Sequence, residues 1–182
     1  IVENSVLKSL IINDENKIDV DNLILSTGHS ARDIFNLLFK KKITIDFKDF
    51  AVGVRIEHPQ IEIDRLMYKR NFRGDFLPPA NYSLVYNNGQ RSVYSFCMCP
   101  GGIIAPCATE EKEIVTNGWS PSKRNNPYAN SGIVVEVKWS DLKNFHKYGP
   151  LAGMQFQKEI EKNACKLAGE TQKVPAQRLV DY

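Results

Sequence analysis

Apolar and polar positions alternate at changing periods along the chain, and the changes mark out its elements. Ser5–Ile12 (SVLKSLII) reads as a strand that stops at the Asn13-Asp14-Glu15-Asn16 turn. Leu23-Ile24-Leu25 is a short apolar run ended by Thr27-Gly28, the pattern of a short strand buried on both faces. A helix follows, with Ser30 as N-cap, Asp33 three residues on, and Ile34, Leu37 and Leu38 at helical spacing. Phe50–Glu57 alternates and is rich in β-branched residues, so it predicts a strand ending at His58-Pro59. Gln60–Lys69 then predicts a helix whose apolar face is Ile61, Ile63, Leu66 and Met67. Asn71–Pro79 is a loop.

The second half begins with a hairpin. Tyr82–Asn87 and Arg91–Phe96 flank Asn88-Gly89, the dipeptide that best fits a tight β-turn. The second of these strands runs into Cys97-Met98-Cys99 and breaks at Pro100-Gly101-Gly102. Ile103–Ala105 and Glu113–Thr116 predict two short strands. Asn117–Asn130 is polar and turn-rich and predicts a long loop of functional type. Ser131–Trp139 predicts a strand and Ser140-Asp141-Leu142 a short helix broken at Gly149-Pro150. Leu151–Leu167 predicts a longer helix that Gly169 ends. Strands mixed with helices, one pair joined by a hairpin, predict an α+β fold. Its sheet is mixed and largely antiparallel, with flanking helices.

Composition narrows the function classes. A formal net charge of +3 over 182 residues, with no basic run beyond Lys40-Lys41-Lys42, argues against nucleic-acid binding. No stretch approaches the ~20 apolar residues of a membrane span. The four cysteines, Cys97, Cys99, Cys107 and Cys165, do not form a disulfide framework, which fits a reducing, cytoplasmic setting. The chain opens on Ile1, and Val174-Pro175-Ala176-Gln177 begins a new segment just before Tyr182; both ends suggest a piece of a longer protein.

The candidate chemistry centres on the turn after the hairpin. Cys97, Cys99 and Cys107 lack the spacing of a zinc site, and His29, His58 and His146 are scattered, so no metal site is assigned. Strand alternation would put Cys97 and Cys99 on one face with Met98 opposite. Either thiol could be activated by the backbone N–H groups of Gly101 and Gly102; the plainer reading is that one packs in the core and the other in the turn. Arg55 either holds a carboxylate or phosphate, or pairs with a nearby acid at the sheet edge. Thr27-Gly28 before the helix either receives an anionic group or is only a tight connection. The chain carries neither a G-x-S-x-G nor a G-x-G-x-x-G motif.

Seven blocks in order carry a wider resemblance. They are Thr27–Asp33 (TGHSARD), Ala51–Gln60 (AVGVRIEHPQ), Tyr94–Gly102 (YSFCMCPGG), Val115–Gly118 (VTNG), Ala129-Asn130-Ser131, Pro150–Gly153 (PLAG) and Pro175-Ala176-Gln177. Together they resemble the FAD-dependent dehydrogenase family whose members are labelled NAD(FAD)-utilising dehydrogenases, from about Leu23 to Tyr182. Trp119 departs from the pattern, and Cys107 lies outside the shared blocks.

The resemblance implies the C-terminal, substrate-side portion of a two-part FAD-dependent oxidoreductase. Residues 1–46 would be the late part of the FAD-binding domain, 47–173 an inserted substrate-side domain, and 174–182 the return toward the FAD domain. Thr27, Gly28, His29, Gly101 and Gly102 would lie near the cofactor. Arg55, His58, Asn117, Asn130 and Ser131 would face the substrate, and Cys97 and Cys99 are the candidate catalytic residues. FAD is the implied cofactor of the full-length protein, and NAD(P)H a candidate electron donor. The implied partners are the N-terminal FAD-binding half, without which this portion is expected to be inactive, and a small-molecule substrate. The alternative is a non-redox module that binds a small molecule or a protein partner.

Overall fold

The computed structural model describes residues 1–4 and 6–181. They form two compact units, Ile1–Leu37 and Leu38–Tyr182. The strand expected over Ser5–Ile12 is broken at Lys8, and Ser5 lies outside the described residues. Around it stand β1 (Val2–Glu3) paired with β2 (Val6–Leu7), and β3 (Ser9–Ile12) paired antiparallel with β4 (Asn16–Asp19). The β3–β4 turn is where the sequence placed it, with Asn13 and Asp14 both at positive φ.

Leu23-Ile24-Leu25 is a correction. It forms no strand, and Ile24 is 91% exposed. A strand needs a neighbouring ladder for its N–H and C=O groups, and none is offered to this run among the described residues. Helix α1 (Arg32–Lys40) follows close to its expected start, with Phe35, Leu37 and Phe39 exposed.

The second unit is built on one antiparallel sheet. Its strands are β5 (Phe50–Pro59), β6 (Val85–Asn87), β7 (Ser92–Cys99) and β10 (Tyr128–Val137), in the order β5-β10-β7-β6. A separate two-stranded ribbon, β8 (Ile103–Cys107) with β9 (Val115–Trp119), is inserted between β7 and β10. Every strand pair is antiparallel, so the α+β reading holds.

Register sets which face is buried. Phe50 and Val52 stand opposite Val137 and Val135 on one face of the sheet. Phe50, Val52 and Val137, with Leu142, Ala152, Phe47, Phe145 and Phe156, form the core against helix α3 (Ala152–Leu167). Fully buried Leu142 contributes roughly 1.5–3 kcal/mol through its burial. Arg55, Asn130 and Cys99 lie on the other face.

Helix α2 (Gln60–Tyr68) reverses its expected orientation. Its apolar residues Ile61, Leu66 and Met67 are exposed, while Gln60 and Asp64 are buried. The helix turns inward the stripe that can hydrogen-bond, because the groups it meets are backbone polar groups. The expected 117–130 loop is also shorter than predicted: β9 continues to Trp119 and β10 starts at Tyr128. No helix among the described residues is long and apolar enough to cross a membrane.

Candidate functional site: a bulge cluster on the open sheet face

The site grows from one irregularity in β7. Gly132 of β10 pairs with Phe96, but Asn130 pairs with Cys99, so β7 holds one residue more than its partner between these pairs. That residue count defines a β-bulge. Cys97 takes it up in the left-handed region, at φ 49. The expected alternation therefore fails: Cys97 is exposed, whereas Cys99 is buried. The Sγ of Cys99 turns back and donates to the Cys97 carbonyl at 3.4 Å.

Arg55 locks the bulge. It pairs with Gly132, which has no side chain, and the guanidinium extends from β5 across β10 to reach β7. Its Nη1 donates to Asn130 Oδ1 at 2.6 Å and to the Cys97 carbonyl at 3.1 Å. Its partners within the chain are an amide and the carbonyl of a residue at positive φ, not an acid at the sheet edge. Asn130 is fully buried, and its Nδ2 has no hydrogen-bond partner among the described residues. Burial raises the Cys99 thiol pKa and Cys97 adds to that, while Arg55 pulls it down.

The ribbon closes over this cluster at Gly118. A Cβ built on Gly118 would lie 2.1 Å from Arg55 Nη1, 2.5 Å from Asn130 Oδ1 and 2.7 Å from Cys99 Sγ. Three functional groups thus converge on one point that only glycine leaves free. Gly118 stood in the sequence only as part of a four-residue block, and its role depends on contacts no local pattern encodes.

Gly101 and Gly102 require a correction. Their N–H groups are spent within the fold: Gly101 donates to Gln60 Oε1 at 2.7 Å and Gly102 to the Tyr128 carbonyl at 2.9 Å. These N–H groups therefore do not activate a thiol in the way the sequence suggested. Gly101 is glycine because φ is +51 and a Cβ would strike the Arg124 carbonyl at 1.9 Å. Gln60 was missed. Its amide also donates to Asp64 Oδ1 and to the Ala80 carbonyl, both at 2.9 Å.

On the core-side face of the same strands, His58 and Tyr82 rings stand 5.6 Å apart, and the Tyr82 phenol is hydrogen-bonded to Ser131. Burial raises the Tyr82 pKa, against the Ser131 bond and Arg55. His58 Nε2 is buried without a partner among the described residues. Burial also lowers the His58 pKa, with Glu57 opposing. In the unfolded chain His58 takes its proton near the ordinary 6.5, whereas the folded site resists it until lower pH. Its stabilisation is therefore present above about pH 6.5 and lost as pH falls through the folded pKa. We expect the full-length protein's thermal midpoint to drop between roughly pH 7 and pH 5, and His58→Gln to flatten that part of the profile. An unchanged slope in the variant would remove His58 from this role.

Asn117 is exposed on β9, and its Oδ1 accepts from the Gly118 N–H at 2.8 Å. Thr27, Gly28 and His29 belong to the first unit and are exposed, with Gly28 at φ +81.

Comparison with known proteins places this architecture. A protein of Clostridium beijerinckii (strain ATCC 51743 / NCIMB 8052), described as uncharacterized, is 42% identical over 178 residues. The match covers 97% of this chain and 33% of that protein, so the chain spans about one third of its relative's length. The family model described as FAD-dependent protein, C-terminal domain-like matches residues 49–182, which include the whole sheet, the bulge and the ribbon. With most of its length inside that model, the chain belongs to the family of C-terminal domains of FAD-dependent proteins.

Proposed function

We propose that this chain is the substrate-side part of an FAD-dependent oxidoreductase, and that the Arg55–Asn130–Cys99 cluster faces the flavin ring or its substrate. One observation carries the reading. The Arg55 guanidinium bonds Asn130 Oδ1 and the Cys97 carbonyl through Nη1 and also the Cys99 thiol, so one cation with five donors stands beside an Asn130 Nδ2 that has no partner among the described residues.

A donor-rich, cationic cluster fits the electron-rich pyrimidine side of a flavin, which suits the family's cofactor. FAD would supply hydride transfer. The chain's residues would orient the substrate, hold positive charge beside the ring and keep water from Cys99. Since the chain carries no glycine fingerprint, the pyrophosphate would be held by the N-terminal half of the full-length protein. In this reading residues 1–46, with Thr27, Gly28 and His29, belong to the FAD-binding domain. Residues 47–173 form the inserted domain, and 174–182 lead back. Exposed Leu23, Ile24 and Leu25 support a covering partner of this kind.

The test is a spectroscopic redox titration of the full-length protein and its Arg55→Met variant. A cation beside a flavin favours the reduced, anionic ring. The variant's midpoint potential should fall by about 30 mV or more, the equivalent of about 1.4 kcal/mol for two electrons. A full-length protein without flavin would overturn the reading in favour of a non-redox binding module. An unshifted potential in a folded, flavin-bearing variant would move Arg55 away from the ring.

A further inference from the structure

We propose that Cys97 and Cys99 form a thiol–disulfide pair, in which exposed Cys97 is the attacking thiol and buried Cys99 the resolving one. The proposal rests on the bulge and stands apart from the flavin reading.

A straight strand disfavours a bond between residues two apart, because their side chains project side by side. The bulge alters that arrangement. It sends Cys97 to solvent, leaves Cys99 beneath, and turns the Cys99 Sγ back onto residue 97, 3.4 Å from its carbonyl oxygen. Exposure of one thiol and shelter of the other is the division of labour in a dithiol that first meets an outside disulfide and then closes on itself.

Burial raises the Cys99 pKa against the pull of Arg55, so Cys99 waits as the thiol while Cys97 meets solvent. Arg55 Nη1, Asn130 Oδ1 and Cys99 Sγ all lie within 2.7 Å of the single point a Gly118 Cβ would occupy. Asn130 is 0% exposed, and its Nδ2 has no partner among the described residues.

The chemistry balances with a glutathione-type disulfide as oxidant. The Cys97 thiolate attacks one glutathione sulfur, a mixed disulfide forms and one glutathione thiolate leaves. Cys99 gives up its proton to water and attacks the Cys97 sulfur. The Cys97–Cys99 bond forms and the second glutathione thiolate departs. Two cysteine sulfurs are oxidised and one disulfide is reduced.

Trypsin cleavage after Arg91 and Lys112 releases one peptide carrying Cys97, Cys99 and Cys107, so Cys107 is an internal reference. The full-length protein is equilibrated in mixtures of oxidised and reduced glutathione, quenched, alkylated, reduced, labelled with a heavy alkylating agent and read by mass spectrometry. Heavy label should enter Cys97 and Cys99 together, in proportion to oxidised glutathione over the square of reduced glutathione, while Cys107 keeps the light label. In Cys99→Ser, Cys97 should stop at the mixed disulfide with glutathione; in Cys97→Ser, Cys99 should stay light. Light label at both cysteines in the most oxidising buffer would overturn the pair. So would a Cys97–Cys107 bond, or mixed disulfides in the parent protein that never resolve.

Discussion

Gly118→Ala should destabilise the second unit by about 3–5 kcal/mol and open the thiol cluster. The added methyl would sit 2.1 Å from Arg55 Nη1, 2.5 Å from Asn130 Oδ1 and 2.7 Å from Cys99 Sγ. Overpacking alone costs about 1–3 kcal/mol. Here the neighbours cannot yield without further loss. Moving Arg55 breaks its bonds to Asn130 and to the Cys97 carbonyl, and moving Asn130 disturbs a side chain with no exposed surface. Each lost bond to a charged donor adds about 1.5–3 kcal/mol. Denaturation of the full-length variant and the alkylation rate of Cys99 check this. A double mutant with Arg55→Ala should cost less than the sum of the two single changes, because removing the guanidinium makes room for the methyl. Additive costs would show that the contact does not carry the effect.

Asp64→Ala comes second, at about 3–5 kcal/mol. Asp64 is 7% exposed. Its Oδ1 accepts from the Ala80 N–H at 2.8 Å and from Gln60 at 2.9 Å, and its Oδ2 from Arg73 at 2.9 Å. Alanine strands the buried Ala80 N–H and frees the Gln60 amide that holds Gly101. The loss reaches the Cys97–Gly102 turn through that one side chain. Hydrogen exchange at the Ala80 and Gly101 amides should speed by at least about a hundredfold, on 1.36 kcal/mol per factor of ten. Asp64→Asn keeps the shape and the Oδ1 acceptor, so it should cost less. Unchanged exchange at Gly101 in a folded Asp64→Ala protein would separate the helix network from the turn.

The Asp64 network explains a misreading of the sequence. The apolar positions of Gln60–Lys69 repeat at helical spacing, and the helix is there. Spacing predicts a helix and an apolar stripe, yet which stripe faces inward depends on what lies opposite. Opposite α2 are the Ala80 backbone and the Gly101 amide, which need polar partners. Leu23-Ile24-Leu25 failed for a related reason: strand propensity is local, but a ladder needs a second chain segment in register.

Some features followed from the chain alone. The Asn88-Gly89 hairpin, the β5 and β10 strands, helix α3 and the antiparallel α+β class all follow from local preferences and period-2 or helical alternation, which act within a few residues. The stretch around Cys97–Gly102 was also legible as the place where order changes, since proline and glycine interrupt a strand there. What the tertiary structure alone decided is how that stretch is arranged. The bulge arises from register against β10, and it separates two thiols that alternation had put on one face. Arg55, Asn130, Cys99 and Gly118 come from four separate strands and meet within 2.7 Å of one point. Contacts between residues far apart in sequence depend on the packing of the whole sheet, and no local pattern of residues specifies them.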